Sequence, residues 1–211
     1  MCYGTPNLVR VDMSGTTWGA GVLENLEYAF GNSGLQEIDL GDLETSAVTT
    51  VRGMFFKDRN LRSVDLSRCD FTNVTDAASM FRECGELTGI TMPASGMPNL
   101  TDSIGQMFDT CTKLRDVDLS GLDFSKVSNV SRAFYRCESL CTVMNIDATL
   151  FDRSSGYTFA DMAIGDEADV VINCTQASRD ILEDHMIRTT DVRYTQHVTY
   201  NITDAVSDDT P

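Results

Sequence analysis

The sequence predicts an α/β solenoid of about six to seven rungs, each a parallel strand plus a short helix, closed by a C-terminal α+β cap. Three observations carry this. A strand-like motif recurs at a fixed period, a second apolar register recurs at the same period, and the repeat covers residues 8–174 before a different pattern follows. A period of this size marks a stacked-repeat architecture, because one repeat cannot bury its apolar face alone.

The strand motif opens at Leu8, Leu35, Leu61, Leu87, Leu114 and Leu140, in steps of 27, 26, 26, 27 and 26. Three residues later stand Val11, Ile38, Val64, Ile90, Val117 and Val143. Two further on stand Met13, Leu40, Leu66, Met92 and Leu119, with Asn145 in the sixth rung. Leu-x-x-Val-x-Leu alternates at its end, the pattern of a strand buried on one side. Extending the period past Val143 reaches Val170 and Ile172, an altered seventh rung whose opening Leu is replaced by Glu167. Seven strands about 4.8 Å apart would form a rod or horseshoe roughly 30 Å long.

The second register is Phe30, Phe55, Phe81, Phe108, Phe134 and Phe159. Four residues earlier lie Leu26, Val51, Ala77, Ile104 and Val130, and one earlier lie Ala29, Met54, Met80, Met107 and Ala133. Apolar residues at i, i+3 and i+4 share one helical face, so each rung is predicted to carry about two turns of helix. Thr75, Thr101 and Ser128, just ahead of these segments, read as N-caps. That reading is preferred for the Asn-x-Ser/Thr triplets at Asn73, Asn99, Asn129, Asn173 and Asn201 over the alternative, glycosylation acceptors.

Past Tyr157 the pattern changes. Val170–Ile172 reads as a strand. Thr175 reads as the N-cap of a helix over about 176–187, with Ala177, Ile181, Leu182 and Met186 on one side. Val192, Tyr194, Val198, Tyr200 and Ile202 alternate as a strand. The expected organisation is a solenoid over 1–174, a cap over 175–203, and a frayed acidic tail over 204–211.

The 211 residues carry 32 acidic and 16 basic side chains, a net charge of −16. Phosphate binding needs a basic footprint, so nucleic acid is not an expected partner, nor is an anionic membrane surface. No apolar run is long enough for membrane insertion. Met1–Gly4 lacks the charged and apolar regions of a secretion signal. The first rung starts at Leu8 with no polar cap before it, which leads to the expectation that the chain is part of a longer one.

Cys84, Cys111 and Cys137 each follow the rung Phe by three residues. They could form a metal or disulfide ladder, or a row of small buried thiols. Paired C-x-x-C zinc spacing is absent, so buried thiols are the preferred reading. His185 and His197 lack the spaced companions of a triad or metal set, and Gly19-Ala20-Gly21 reads as a turn rather than a phosphate loop. No catalytic residue, cofactor or metal is expected.

The string Leu61-Arg-Ser-Val64-Asp65-Leu66-Ser67, Asp70-Phe71, Val74-Thr75, Met80-Phe81, Cys84 returns as Leu114-Arg-Asp-Val117-Asp118-Leu119-Ser120, Asp123-Phe124, Val127-Ser128, with Met107-Phe108 and Cys111 just upstream. It resembles the BspA-type leucine-rich repeat of bacterial surface proteins and mycoplasma-type lipoproteins. Thr91, Pro93 and Asn145 depart from that pattern. The resemblance implies a leucine-rich-repeat solenoid on an extracellular or cell-surface protein, or on a phage tail, with an adhesive, protein-binding or host-binding role. It supplies no catalytic residues.

What the repeat offers instead is the outward side of its strands. The candidate binding residues are Asp12, Glu37, Asp39, Arg62, Asp65, Arg115, Asp116 and Asp118. Aspartates in file on neighbouring rungs repel by about 1 kcal/mol per pair in bulk water. Arg62 and Arg115, bound Ca²⁺, splaying into water, or backbone N–H groups of the following turn could each relieve this. The expected function is a non-enzymatic module binding a protein or glycan through this face. The alternatives are a structural spacer displaying another domain, or an enzyme using residues scattered across rungs.

Overall fold

The computed structural model describes residues 1–15, 23–119, 121, 122, 124, 126, 127, 129–146, 148, 158–186 and 197–203. The chain is a parallel β-solenoid of about six turns with little helix. Short strands β1 (Arg10–Asp12), β2 (Glu37–Asp39), β3 (Ser63–Asp65), β4 (Gly89–Thr91) and β5 (Asp116–Val117) are followed by longer β6 (Cys141–Asn145) and β7 (Asp169–Cys174). Helix α1 (Gln176–Met186) then leads to β8 (Val198–Ile202). All pairings are parallel, β1 with β2 and then β3 through β8 in chain order. Between the two sheets the backbone still touches, through Arg62 N–H on Gln36 O at 3.4 Å.

The core is one continuous cluster, and the opening leucines and phenylalanines from the second rung on are buried in it. The six phenylalanines stack at centroid spacings of 5.4–5.7 Å with ring planes within 25° of parallel. One Phe per rung at a near-constant period thus becomes an unbroken axial column. Burial of each ring contributes on the order of 1.5–3 kcal/mol.

The short helices of the rungs are not formed; the apolar positions are buried as expected, but the backbone is a run of linked β-turns. In the second rung Met54 N–H returns to Val51 O, Phe56 to Gly53 and Asp58 to Phe55. The intervening donors point along the solenoid: Val51 N–H bonds Asp76 O, Gly53 bonds Ala78 O, Phe55 bonds Met80 O and Lys57 bonds Arg82 O. A helix would commit every N–H to its own segment and leave neighbouring rungs unbonded. The turns need a left-handed residue in third position. Gly53 (φ 58) supplies one, but Lys57 (φ 64), Ser79 (φ 57), Glu83 (φ 62), Gln106 (φ 60) and Arg132 (φ 56) supply others without a glycine to announce them.

With no helix formed after them, Thr75 and Thr101 are not helix caps, and Ser128 lies outside the described residues. The side chains that open the turns sit one position after Thr75 and two after Thr101, in a single column. Asn25, Asp76 and Asn129 accept the N–H of Glu27, Ala78 and Ser131, while Thr50 and Ser103 accept those of Arg52 and Gly105. Consecutive members of this column also form isolated parallel bridges.

The register of the sixth rung differs from expectation by one residue. Asp116 pairs with Cys141 and Val170 with Thr142, so Thr142, not Val143, takes the inward place of Val117. Val143 is 46% exposed. A one-residue slip turns every side chain over. Here it is stabilised by Met144 and Ile146 entering the core and by Thr142 Oγ donating to Val117 O at 2.6 Å.

Helix α1 begins as expected, with Ser178 N–H donating to Thr175 Oγ at 3.1 Å. Its inner side holds Ser178 and Leu182, with Ile181 half-buried, whereas Ala177 is exposed. Ser178 is accommodated because its Oγ accepts Ala148 N–H at 3.0 Å. The second strand is described over Val198–Ile202; Val192, Tyr194, Ile187, the tail 204–211 and the Gly19–Gly21 segment lie outside the described residues. Among the described residues no helix is long and apolar enough to cross a membrane.

Candidate functional site

The candidate residues are distributed along the outward side of β1–β5 and the residues flanking them. Asp12, Glu37, Asp39, Arg62, Asp65, Asp116 and Asp118 are exposed and Arg115 is half-buried. Asp12 pairs in register with Asp39, and Asp65 with Thr91. Thr91 therefore separates Asp65 from Asp118, and the file of aspartates is broken rather than continuous.

The turn backbone relieves the crowding. Asp12 Oδ1 accepts Ser14 N–H at 3.0 Å, Asp39 Oδ1 accepts Gly41 N–H at 2.8 Å, and Asp65 Oδ1 accepts Ser67 N–H at 2.9 Å. The Ser14 hydroxyl and N–H hold the Asp12 carboxyl below its ordinary range, and the Ser67 N–H and hydroxyl do so for Asp65. Each carboxylate thus closes the turn that follows its strand. Arg115 instead reaches Glu167 at 2.8 Å, and among the described residues Arg62 forms no ion pair with these carboxylates.

Two shallow clefts open beside these residues. One, of about 320 Å³, is lined by Asp39, Gly41, Asp65, Arg68 and Cys69, where β2 and β3 are not paired. The other, of about 360 Å³, is lined by Thr91, Met92, Pro93, Asp118 and Leu122. Arg68, which pairs with Asp42, was not singled out by the repeat pattern because it occupies a turn position that varies between rungs.

The outward face changes character toward the C-terminal end. Val143, Val171 and Thr199 lie side by side across β6–β8. Next to them Asn201 Nδ2 donates to Asn173 Oδ1 at 3.0 Å and Asn173 Nδ2 to Asn145 Oδ1 at 2.8 Å. Asn73 and Asn99 likewise spend their amides on Ser46 O and Thr72 O of the preceding rung. Asn73, Asn99, Asn173 and Asn201 therefore serve as rung-to-rung struts, while Asn129 accepts the N–H of Ser131 in its own turn.

Three of the cysteines form a column in the interior. Cys84, Cys111 and Cys137 donate to the carbonyls of Phe55, Phe81 and Phe108 at 3.0–3.1 Å, and burial pushes each thiol well up. Among the described residues every cysteine is a free thiol, and no three His, Cys, Asp or Glu side chains gather for a metal. One rung before Cys84, the same column holds Asp58. It is fully buried, its Oδ1 accepts both Ser33 N–H and Ser33 Oγ–H at 2.7 and 2.8 Å, and its Oδ2 has no partner. Burial pushes its carboxyl up to about 7, against the Ser33 bonds that lower it. His197 is exposed, with only its backbone tied to Ala163 and Val170; the side chain of His185 lies outside what is described.

A parallel stack of near-identical rungs with a phenylalanine column defines a repeat β-solenoid protein. The chain matches the family described as Mycoplasma protein of unknown function, DUF285, over residues 7–92 and 98–167, and belongs to that family. No curated protein and no solved structure matches the chain.

Proposed function

We propose that this solenoid is a non-enzymatic binding module, holding a protein or glycan through the outward side of its strands. The observation that supports the reading is a division of labour among side chains. Phe, Leu, Val, Cys, Asn and Thr columns are absorbed by the core and by rung-to-rung bonds. The outward positions held by Arg62 and by Glu37 and Asp116 change residue from rung to rung, and beside them the column of Asp65 and Asp118 is exposed and interrupted by Thr91. The finer family reading, a BspA-type leucine-rich repeat on a surface, secreted or phage-tail protein, rests on the repeat motif and fits a binding role. The C-terminal α1–β8 unit is proposed to close the solenoid.

The test is a glycan and extracellular-protein array probed with the full chain and with Asp39→Asn/Asp65→Asn. Asparagine keeps the acceptor for Gly41 and Ser67, so the fold is retained while two charges leave the cleft. A ligand captured by the native chain and lost at least tenfold by the variant supports the sheet face. Undiminished capture, or a substrate turned over by the pure chain, overturns it.

A further inference from the structure

A second surface lies on the turn side of the solenoid, away from the candidate strands. Its centre is Asp109, whose side chain is 1% exposed. Arg132 Nε lies 3.0 Å and Arg82 Nε 3.7 Å from Asp109 Oδ2, while Arg132 Nη2 and Thr110 Oγ reach Oδ1 at 3.3 and 2.8 Å. Asp109 Oδ2 and both Nε atoms are buried without a well-formed hydrogen bond. One buried carboxylate therefore holds two guanidiniums by charge, and their outer ends stay accessible, at 31% and 39% exposure of the side chains.

The neighbouring rungs extend the arrangement. Glu83 is shared by Arg59 at 2.7 Å, Arg82 at 3.6 Å and Lys57 at 3.9 Å. Four cations thus share two carboxylates, in a chain whose net charge is −16. The carboxylates are the more buried partners, so positive charge is what the surface presents. The aromatic rings beneath are already covered: Lys57 and Arg82 lie 4.9 and 5.5 Å from the Phe56 centroid, and Arg132 lies 4.4 Å from that of Tyr135. Such stacking fixes the guanidiniums in place and takes up the ring faces that a sugar would stack on.

We infer that Lys57, Arg59, Arg82 and Arg132 form a docking surface for an acidic polypeptide segment laid along the solenoid axis. Arg82 Nη1 also donates to Gln106 Oε1 at 3.5 Å. Each guanidinium has five donors, more than Asp109, Glu83 and Gln106 use, and pairs with carboxylates in forked geometry. The cations span the second to the fifth rung, three steps of about 4.8 Å, the length of roughly five extended residues. Arginine beside tyrosine is also the composition of protein-interface centres.

The probe is a fluorescent hexaglutamate peptide, blocked at both ends, titrated into the full chain at low salt and followed by anisotropy. Saturable binding that weakens with salt is expected, with at least a tenfold loss in Arg82→Gln/Arg132→Gln and no change in the charge-matched control Lys126→Gln/Arg179→Gln, whose side chains contact Pro98 O and Glu183. Because the first variant leaves Asp109 unpaired, Lys57→Gln/Arg59→Gln, which leaves Asp109 paired and Arg82 on Glu83, provides the second arm; a loss of several fold is expected with a melting temperature lowered by no more than a few degrees. Absence of binding by the native chain, native-like binding by both turn-side variants, or equal loss in the charge-matched control overturns the inference. So does a carboxylated hyaluronan oligosaccharide binding more tightly than the peptide.

Discussion

Asp58 gives the chain a pH response opposite to that of most folded proteins. A carboxyl raised from 3.8 to about 7 in the folded state keeps its proton where the unfolded chain has lost it. Stability from this group is complete below pH 3.8 and is lost as pH rises to about 7, after which it is flat. Three pH units correspond to about 4 kcal/mol, a large part of a domain's total. The lowered carboxyls of Asp12, Asp65 and Asp70 act in the opposite sense, but below pH 3.8, so the windows do not overlap. Easing of the overall negative charge on acidification also favours the fold, and a variant separates it. Asp58→Asn keeps an oxygen for Ser33 and adds an amide donor at the position of the unpartnered Oδ2. It is expected to raise stability at pH 8 by up to about 4 kcal/mol and to flatten the profile between pH 4 and 7. Urea unfolding followed by far-ultraviolet circular dichroism at each pH measures both. The same slope in native and variant chains, or a variant less stable at pH 8, would refute the reasoning.

Three further outcomes are expected. Gly96→Ala places a methyl against the Gly121 carbonyl at a left-handed position (φ 61), and thermal melts should show about 2–3 kcal/mol of destabilisation. Timed alkylation read by mass spectrometry should modify Cys2 and Cys141 first, leaving buried Cys69, Cys84, Cys111, Cys137 and Cys174 protected until the chain unfolds. Asn173→Ala removes the middle of the asparagine series on β6–β8 and should cost about 1–2 kcal/mol in a urea titration, with faster amide exchange in β8.

The columns were legible because burial repeats at a fixed period: Leu61, Val64, Leu66 and Phe81 all lie where their spacing puts them. Conformation between them was not. Positions i, i+3 and i+4 face inward in a helix and equally in two linked turns, and left-handed Lys57, Glu83 and Arg132 carry no glycine signal. The sixth rung misled because its inward residue is Thr142, a polar side chain made tolerable only by a carbonyl from the rung before. On the candidate face the exposed positions were readable, but the turn bonds that occupy Asp12, Asp39 and Asp65 were one option among several. The Arg82–Asp109–Arg132 group could not be seen at all. Its members come from three rungs and different places within each, so only stacking unites them.

Because alternate turn donors run from rung to rung, the bonds that hold the solenoid lie along its length and act in series when its two ends are drawn apart. A chain anchored at one end and loaded at the other would then yield one rung at a time. Each rung releases about 26 residues, near 90 Å of slack at full extension. Such a rod would behave under tension as a stepwise shock absorber, reeling out length while the remaining rungs stay stacked.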